Sequence, residues 1–581
     1  MSTVAHNYIC EKIADSRLHN LLEQCEQSQQ LKYDGELAYW LQSDKLFPLQ
    51  SKRNPEREAR NITDHWLQTV DEKPMVVALL GVSSIYIIEA LLKKIPQDSN
   101  ILIVDPNPQH MKTFIDNCGG HEIFRKDQLH IITANTDDSL TNTFRQEISL
   151  QNNLCSHIFT LPSISRFRPE IETTRELLSK AIKAEAMDRG TSAAFSAEWL
   201  QNSIINIPEM LKAPGVTQLQ NKFSGRDALV VCAGPSLNES LHYIKKYQNS
   251  ALIICVGTAL KPLLAAGITP HITIIVDSDP KVSQQFSDLD NPPGYLLCPY
   301  TIFPGIIQKY HQKVIAFNCL VSEGFSKWLA DAGIDHGSLN IGGTVSLSAL
   351  DLAKTCGVKN IFTFGLDLAY SEDGTSHAKN SMYDSQTKAT GLVEVQGNRH
   401  NTVKTTKQFA GYIDIMNRYL KEKFSAFSGK IYNVNNHGAK MSVMELLTPD
   451  EIPSLIDESS NISDTLENLN FHELSSTKVE ELIDNAVEEI NSLKDESALL
   501  LDQFRNNSIP AGINQFEERV KNSDVCSNLL DQAMRAWSMQ VTNGGITDPV
   551  ELTQSFVRQI HGASDWVSGL LNRSQNRLKQ Q

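Results

Sequence analysis

Residues 228–237 read ALVVCAGPSL, a short apolar run that is followed by a glycine–proline turn. The run Ala228–Cys232 is typical of a strand buried on both faces of a sheet. Gly234 permits close approach to the backbone, and Pro235 sets the φ angle that a first helical turn requires. Ser236 can cap the helix that follows and leave backbone N–H groups free to hold an anion such as phosphate. The stretch predicts a strand, a turn and a helix. Its functional interpretation is a phosphate-binding turn, and the alternative is a strand–turn–helix connection without a ligand.

Glycines and polar residues follow three more apolar runs, at the point where each predicted strand ends. The runs are Ala251–Val256, which leads into Gly257 and Thr258, Ile272–Val276, which leads into Asp277 and Asp279, and Asn360–Phe364, which leads into Gly365 and Asp367. Between the last two, a helix that ends near Gly357 opens with Gly342, Gly343, Thr344 and Ser346. Polar residues at the carboxyl ends of successive parallel strands mark where open α/β sheets bind ligands. We therefore expect a doubly wound α/β domain with a nucleotide-type pocket.

Composition favours a large cytoplasmic enzyme. The 581 residues carry a formal net charge of −15, which argues against a nucleic-acid binder because such proteins show basic patches. The ten cysteines form no CxxC pair and are expected to be reduced thiols. No secretory signal and no apolar run of membrane-spanning length is visible, so we expect no membrane span and a bacterial cytoplasmic location.

Three domains are expected, at 1–205, 206–445 and 446–581. In the first, an apolar run ends at Gly81 and a second ends at Asp105, the layout of a Rossmann-like nucleotide site. The glycines that let a backbone approach a pyrophosphate are missing after Gly81, which favours a Rossmann-like accessory domain without a working cofactor site. Helical periodicity after Thr448 predicts an all-helical C-terminal domain, which either packs within the chain or recognises an elongated helical partner.

The central motifs carry a family resemblance. The segments AGPSL, VGTAL, VDSDP, GGTVSLSAL and VKNIFTFGLDLAYSEDGTSHA, with flanking segments from EWLQNSIINIPEML to KIYNVNNHGAKM, cover roughly residues 190–445. They resemble the motility-associated factor (Maf) flagellin glycosyltransferases, which share a pocket with bacterial family-42 sialyltransferases and an MptE-like pyrophosphokinase branch. The resemblance implies transfer of a nonulosonic acid, of pseudaminic or legionaminic type, from its CMP-activated form to Ser or Thr of flagellin. It implies no obligatory cofactor.

The resemblance also implies roles for single residues. The turn from Gly234 to Leu237 is expected against the donor. Thr258 and Asp279 stand where the sialyltransferases have donor-contacting asparagines, and the Gly342–Thr344 loop matches the segment that holds the nucleotide. A loop begins at Gly365 and Asp367, and its Tyr370 and His377 match two tyrosines that donate to the leaving phosphate.

The acceptor base is left open by the resemblance. The matching stretch offers Asn398 at the natural alignment and His400 two residues later, so Asp367, His377 and His400 all remain candidates for the base. As imidazolium, His377 would neutralise or protonate the departing phosphate, and as neutral imidazole it would serve as base.

Two other functions remain open. Asp277 and Asp279 form a DxD pattern that would hold Mg²⁺ on a diphosphate, but a CMP-sugar has one phosphate and needs no bridging metal. If the substrate were ATP, the protein would be an MptE-like diphosphotransferase and Mg²⁺ would be expected at these residues. The third interpretation is a non-catalytic flagellin-binding or chaperone protein.

Overall fold

The computed structural model describes residues 16–580, with gaps at 71–75, 98, 151–155, 311–312, 319–322, 384–389, 436, 455, 457–460, 463–464, 467–470, 472–473, 505–507, 532–533 and 535–547. The chain divides into two compact units, Met1–Ala194 and Phe195–Gln581. We refer to them as the N-terminal and the C-terminal unit. The expected three-domain division at 205 and 445 stays a prediction.

The N-terminal unit contains a four-stranded parallel sheet in the order β6-β5-β4-β7, which confirms its Rossmann-like fold. Its strands are β1 (Leu31–Asp34), β2 (Leu37–Gln42), β3 (Lys45–Pro48), β4 (Val76–Leu80), β5 (Asn100–Val104), β6 (Leu129–Ile132) and β7 (Ser156–Thr160). Its helices are α1 (Ser16–Gln24), α2 (Pro55–Leu67), α3 (Ile85–Leu92), α4 (Pro108–Cys118), α5 (Asp137–Leu150) and α6 (Pro162–Phe167), and α7 (Glu170–Met210) contributes residues to both units. The antiparallel sheet β1-β2-β3 has no counterpart in the sequence-based prediction.

The C-terminal unit is built on an eight-stranded sheet in the order β12-β11-β10-β9-β8-β13-β16-β17. Every neighbouring pair in this sheet is parallel. The strands are β8 (Ala228–Val231), β9 (Leu252–Val256), β10 (Ile272–Ile274), β11 (Tyr295–Pro299), β12 (Val314–Phe317), β13 (Ile361–Phe364), β16 (Ile431–Val434) and β17 (Glu445–Leu447), and a separate hairpin pairs β14 (Val393–Gln396) with β15 (Thr402–Thr405). The four predicted central strands are all present, and the expected doubly wound sheet is confirmed.

The helices of this unit connect the strands and then continue beyond them. They are α8 (Leu237–Tyr247), α9 (Gly257–Ala265), α10 (Pro304–Ile307), α11 (Glu323–Asp331), α12 (Val345–Thr355), α13 (Lys407–Lys423), α14 (Ser476–Gln503), α15 (Ile513–Asn522), α16 (Asp524–Leu529) and α17 (Pro549–Gln580). Short 3₁₀ helices lie at Glu122–Arg125 in the N-terminal unit and at Val216–Leu219, Pro280–Phe286, Gln308–Tyr310 and Pro449–Ser454 in this one.

The helical C-terminal region is confirmed, and its apolar stripe points inward. Val479, Ile483, Ile490 and Leu493 of α14 are buried, as the periodicity predicts. They belong to the same hydrophobic core as the strands of the eight-stranded sheet, so the helices α14–α17 pack within the C-terminal unit. Within the described residues, no helix is both long enough and apolar enough to cross a membrane.

Candidate functional site

The carboxyl ends of β8 and β13 lie side by side at the switch point of the larger sheet. From β8 the chain adds β9 to β12 on one side, and from β13 it adds β16 and β17 on the other. In open α/β sheets a ligand crevice opens beyond the strand ends at such a point. The motif ALVVCAGPSL ends β8 here, and Gly365 and Asp367 end β13. The sequence-predicted strand ends therefore meet where the topology favours a binding site.

Asp367 ties three strand ends together. Its Oδ2 accepts a hydrogen bond from the N–H of Ser236 at 2.8 Å, and its Oδ1 accepts one from Nδ2 of Asn435. Its carbonyl oxygen accepts the N–H of Ala439 at 2.8 Å. Ser236 follows β8, whereas Asn435 and Ala439 follow β16. Both carboxylate oxygens are thus engaged in holding the switch point, which favours Asp367 as a structural anchor over Asp367 as the acceptor base.

Gly234 is required by the protein itself. A Cβ at Gly234 would lie 2.3 Å from Oδ2 of Asp367 and 2.5 Å from the carbonyl oxygen of Gly365, and the Gly234 N–H donates to that carbonyl at 2.8 Å. The Ser236 N–H is held by Asp367, the Leu237 N–H donates to the Gly234 carbonyl, and Ser236 makes no side-chain cap. The expectation of free N–H groups and a serine cap at this turn is therefore wrong. Its role in donor binding stays a prediction.

The Asp367 carboxylate lies in an environment that penalises its charge. Burial raises the pKa of Asp367, and the hydrogen bonds from Ser236 and Asn435 and the nearby His437 act in the opposite direction. Gly438 packs against the backbone of Asp367, because a Cβ there would come within 2.9 Å of the Asp367 Cα. The anchor is consequently held by neutral donors and tight packing.

The loop after β13 returns to the turn after β8. The N–H of Ala378 donates to the Ala233 carbonyl at 2.8 Å, and the N–H of Lys379 donates to Oδ1 of Asn238 at 3.1 Å. These two bonds place His377, the residue before Ala378, beside the Gly234 turn. The structure therefore brings this candidate catalytic residue to the switch point.

His377 is a partly buried and uncharged imidazole. Its Nδ1 lies 2.9 Å from Oγ of Ser376, and burial lowers the pKa of His377 below the ordinary value of 6.5. At neutral pH the ring is therefore neutral in the free protein. Of the two forms considered for His377, burial favours the neutral imidazole over the imidazolium.

Tyr370 lies in the same loop, seven residues before His377. Its N–H donates to the Lys404 carbonyl at 2.9 Å, and its ring centroid lies 6.4 Å from that of Phe409. A turn closed by the N–H of Ser371 donating to the Thr375 carbonyl at 2.9 Å separates Tyr370 from His377. Both predicted leaving-group residues therefore flank one compact turn.

The glycine loop before α12 lies close to the end of β8. Oγ of Ser346 accepts a hydrogen bond from the Cys232 thiol at 3.2 Å, and α12 packs over β8, β9 and β10. Oδ1 of Asn340 accepts the N–H of Gly342 at 2.7 Å, whereas Thr344 at the helix start makes no side-chain cap. Gly343 has a φ of +87°, which few other residues adopt. The N–H of Thr344 donates to the Gly342 carbonyl at 3.2 Å, so an anion at the uncapped start of α12 would meet the N–H groups of Val345 and Ser346.

Two further strand ends border this region. Gly257 begins α9 directly after β9, where a Cβ would come within 2.6 Å of the Gln285 side chain, and Thr258 follows it partly exposed. After β10, Oδ1 of Asp277 accepts the N–H of Asp279 at 3.1 Å, and Oδ1 of Asp279 accepts that of Lys281 at 2.8 Å. Asp277 is exposed and Asp279 is partly exposed, so both retain carboxylate surface for a ligand.

His400 lies in the turn of the β14–β15 hairpin. It is exposed and stacks on His437, with ring centroids 6.1 Å apart and planes at 14°. Nδ2 of Asn398 donates to the His437 carbonyl at 2.8 Å, which holds the hairpin turn against the segment after β16. The natural alignment position, Asn398, is therefore a structural contact, and His400 keeps an accessible ring.

Two asparagines of α7 brace the loops around the site. Nδ2 of Asn202 donates to the carbonyls of Ser278 and Thr301, and Nδ2 of Asn206 donates to those of Tyr300 and Ile302, at 2.8 to 3.2 Å. These carbonyls follow β10 and β11. The EWLQNSIINIPEML segment, which contributed to the family resemblance, thus holds the loops after β10 and β11 by hydrogen bonds.

In the N-terminal unit the corresponding strand end is closed by an ion pair. Nη1 and Nη2 of Arg168 donate to the two carboxylate oxygens of Asp105 at 2.7 and 2.8 Å, and the Val82 N–H donates to Oδ2 at 2.9 Å. A Cβ at Gly81 would lie 2.6 Å from Ile164. Burial alone raises the pKa of Asp105, but Arg168 outweighs it and holds that pKa well below its usual range. The acidic residue is engaged within the protein, which favours the interpretation without a working ribose site.

Sequence reasoning missed several residues at the site. Asn435, Ser376 and Tyr383 received no role, although Asn435 lies within a segment that carried the resemblance. The sequence feature that could have pointed to Asn435 is the neighbouring Gly438, whose φ of +82° favours glycine. Ser376 and Tyr383 gave no comparable signal, because their importance comes from contacts with His377.

A parallel, doubly wound sheet with polar strand ends at its switch point defines a Rossmann-like protein with a candidate ligand site at that point. Residues 201–373 match the family model described as 6-hydroxymethylpterin diphosphokinase MptE-like. The fold is similar to that of a Maf glycosyltransferase from Magnetospirillum magneticum AMB-1, with a TM-score of 0.59 and 15% identity over 100% of this chain and 94% of that chain. The expected resemblance is therefore confirmed at the level of fold.

A curated relative matches a shorter stretch of the chain. An uncharacterized protein of Treponema pallidum (strain Nichols) is 26% identical over 103 residues, which are 18% of this chain. The chain spans about half, 48%, of that relative's length.

Proposed function

We propose that this protein is a glycosyltransferase that moves a nonulosonic acid from a CMP-activated donor to Ser or Thr hydroxyls of flagellin. The observation that carries the proposal is the extent of the structural likeness. It includes the N-terminal unit and the C-terminal helices as well as the central sheet, and the related structure is that of a glycosyltransferase. The MptE-like match, in contrast, is confined to 201–373.

The proposed reaction breaks the bond between the anomeric carbon and the phosphate oxygen of the donor. CMP leaves with the electron pair, the sugar passes through an oxocarbenium-like state, and the acceptor oxygen forms the new bond as it loses its proton. The protein must therefore stabilise charge on the departing phosphate and receive one proton.

The site residues divide between these tasks. The start of α12, which follows the Gly342–Thr344 loop, is proposed to hold the nucleotide through the backbone N–H groups of Val345 and Ser346, because those of Gly342 and Thr344 are engaged within the loop. Tyr370 and His377 are proposed to donate to the departing phosphate from the two ends of their turn. Because the His377 imidazole is neutral, it would donate through an N–H without a full positive charge.

The remaining assignments concern the sugar and the base. Gly257, Thr258, Asp277 and Asp279 border the sugar side, with the two carboxylates as hydrogen-bond acceptors. The acceptor base is proposed to be His400, because its ring is accessible and Asp367 is engaged in the anchor.

A diphosphotransferase is the second candidate, and the match of residues 201–373 to the MptE-like family favours it. In that case ATP would replace the CMP-sugar, and the exposed Asp277 with Asp279 would hold Mg²⁺ on its phosphates. Within the described residues no group of three or more His, Cys, Asp or Glu could hold a metal, so substrate oxygens would have to complete the coordination.

Calorimetry separates the two candidates. The full chain is titrated with CMP, CDP and ATP, each with and without Mg²⁺. Binding of CMP without binding of ATP supports the transferase, and Mg²⁺-dependent binding of ATP alone supports the diphosphotransferase. Binding of none of them would support the non-catalytic interpretation.

The acceptor is tested by intact mass. Flagellin is co-expressed with the wild-type protein, with His377→Ala, or with the control His65→Ala, which changes an exposed histidine of the N-terminal unit. Addition of nonulosonic acid masses by the wild-type and His65→Ala proteins, with little addition by His377→Ala, is expected. Unmodified flagellin with the wild-type protein and an active donor pathway would contradict the proposal.

A further inference from the structure

The segment that carries His377 folds back on itself. After Ala378, the N–H of Ser381 donates to the Ala378 carbonyl at 3.2 Å and closes a turn. Asn380 has a φ of +66°, a left-handed conformation that asparagine tolerates better than most residues. The N–H of Tyr383 then donates to Oγ of Ser381 at 3.3 Å. This turn returns Tyr383 to His377.

The imidazole of His377 is held from two directions. The ring centroid of Tyr383 lies 4.9 Å from that of His377, with the planes at 48°. Oγ of Ser376 lies 2.9 Å from Nδ1. No described residue forms a hydrogen bond with Nε2. The contacts restrain rotation of the ring, engage one nitrogen and leave the other for a ligand.

The charges of the acidic strand end after β10 also act on Tyr383. Burial, followed by the negative charges of Asp277 and Asp279, raises the pKa of Tyr383 above its ordinary value of 10.0. The phenol therefore remains protonated at neutral pH. Tyr383 therefore contacts His377 in the segment after β13 and is also affected by the carboxylates after β10.

We infer that Tyr383 and Ser376 are positioning residues that hold the His377 imidazole so that Nε2 is the nitrogen that meets the substrate. The ring of Tyr383 packs on the imidazole, and Ser376 selects the nitrogen that stays within the protein. The inference rests on the proposed function for its kinetic test, whereas the orientation of the ring is measurable without substrate.

The kinetic test compares three tyrosine variants. Tyr383→Leu removes the aromatic ring, Tyr383→Phe keeps it, and Tyr39→Leu is the control on a partly buried tyrosine of the N-terminal unit. Because a misplacement of about 1 Å costs up to about a hundredfold in rate, kcat of Tyr383→Leu should fall by about ten- to a hundredfold. KM for the donor should change little. Tyr383→Phe and Tyr39→Leu should retain the wild-type kcat.

The second test reads the ring directly. Protein labelled with ¹³C and ¹⁵N at histidine is compared by NMR, and His377 is assigned by the signals lost in His377→Gln. Wild-type and Tyr383→Phe proteins should show the same single tautomer. Tyr383→Leu and Ser376→Ala should show tautomer exchange, with Ser376→Thr restoring the wild-type shifts.

The outcomes are distinguishable. An unchanged His377 spectrum in both Tyr383→Leu and Ser376→Ala would overturn the inference, and so would a kcat in Tyr383→Phe as low as in Tyr383→Leu. If the wild-type protein has no transferase activity, the proposed function fails while the NMR comparison still decides the positioning. If Tyr383→Leu does not fold, Ser376→Ala and Ser376→Thr give the same decision.

Discussion

Replacing Gly234 with alanine should loosen the switch point of the larger sheet. The new Cβ would lie 2.3 Å from Oδ2 of Asp367 and 2.5 Å from the Gly365 carbonyl oxygen, and neither distance is tolerable. The backbone of Gly365 cannot retreat without disturbing β13, so both the Asp367 carboxylate and the Gly234 backbone must move. That movement breaks the hydrogen bond from the Ser236 N–H.

The expected cost follows from the two hydrogen bonds at risk. They are Ser236 N–H to Asp367 and Gly234 N–H to the Gly365 carbonyl, each 2.8 Å long. A buried polar group left unsatisfied costs about 1–3 kcal/mol, so the free energy of unfolding of the C-terminal unit should fall by about 2–6 kcal/mol. Loss of nucleotide binding in such a variant would then reflect a disturbed fold as well as the site.

Urea denaturation, with hydrogen exchange at the Ser236 amide, measures this effect. Gly411→Ala is the matched control, because Gly411 lies in α13 and its Cβ would meet nothing within 4 Å. That variant should gain about 0.5–1 kcal/mol from helix propensity. The reasoning is refuted if Gly234→Ala unfolds at the wild-type urea concentration with the Ser236 amide equally protected.

Three further predictions concern the site and the N-terminal unit. His377→Ala should lower the rate of sugar transfer by about 10²–10³ while donor affinity changes less, and Tyr370→Phe should lower that rate by a smaller factor. Initial rates and calorimetry measure the two quantities, and an equal loss of rate and donor affinity in His377→Ala would contradict the prediction. Arg168→Leu should destabilise the N-terminal unit by about 3–5 kcal/mol, because it leaves Asp105 buried without its partner, and a thermal melt that is unchanged would contradict it. The pKa of Asp105 lies below its unfolded value near 3.8, so its contribution to stability is present above pH 3.8 and is lost as the pH falls through the folded value. In an acid titration followed by circular dichroism, the stability of the N-terminal unit should fall less steeply below pH 3.8 in Asp105→Asn than in the wild-type protein.

Much of the fold could be predicted because its signals are local. The β-branched runs at Ala228 and Ala251, each with a glycine at its end, report burial on both faces and a turn within a few residues of sequence. The periodic stripe from Val479 to Leu493 reports one buried helix face in the same way. The meander of β1 to β3 was missed because its strands are partly exposed, and β1 and β3 mix lysine with apolar residues.

The amino-acid sequence by itself determined the residue types that gather at the carboxyl ends of the strands, and thereby the class of site. Which of those residues are engaged within the protein was decided only by the tertiary structure. Gly234 and Asp367 each look like ligand contacts in isolation, yet they pack on one another, because β8 and β13 become neighbours only when the sheet forms. Tyr383 shows the reverse, since its ring reaches His377 only after the chain turns back at Asn380. Hydrogen bonds and close packing between segments far apart in sequence depend on that pairing, and no local pattern records them.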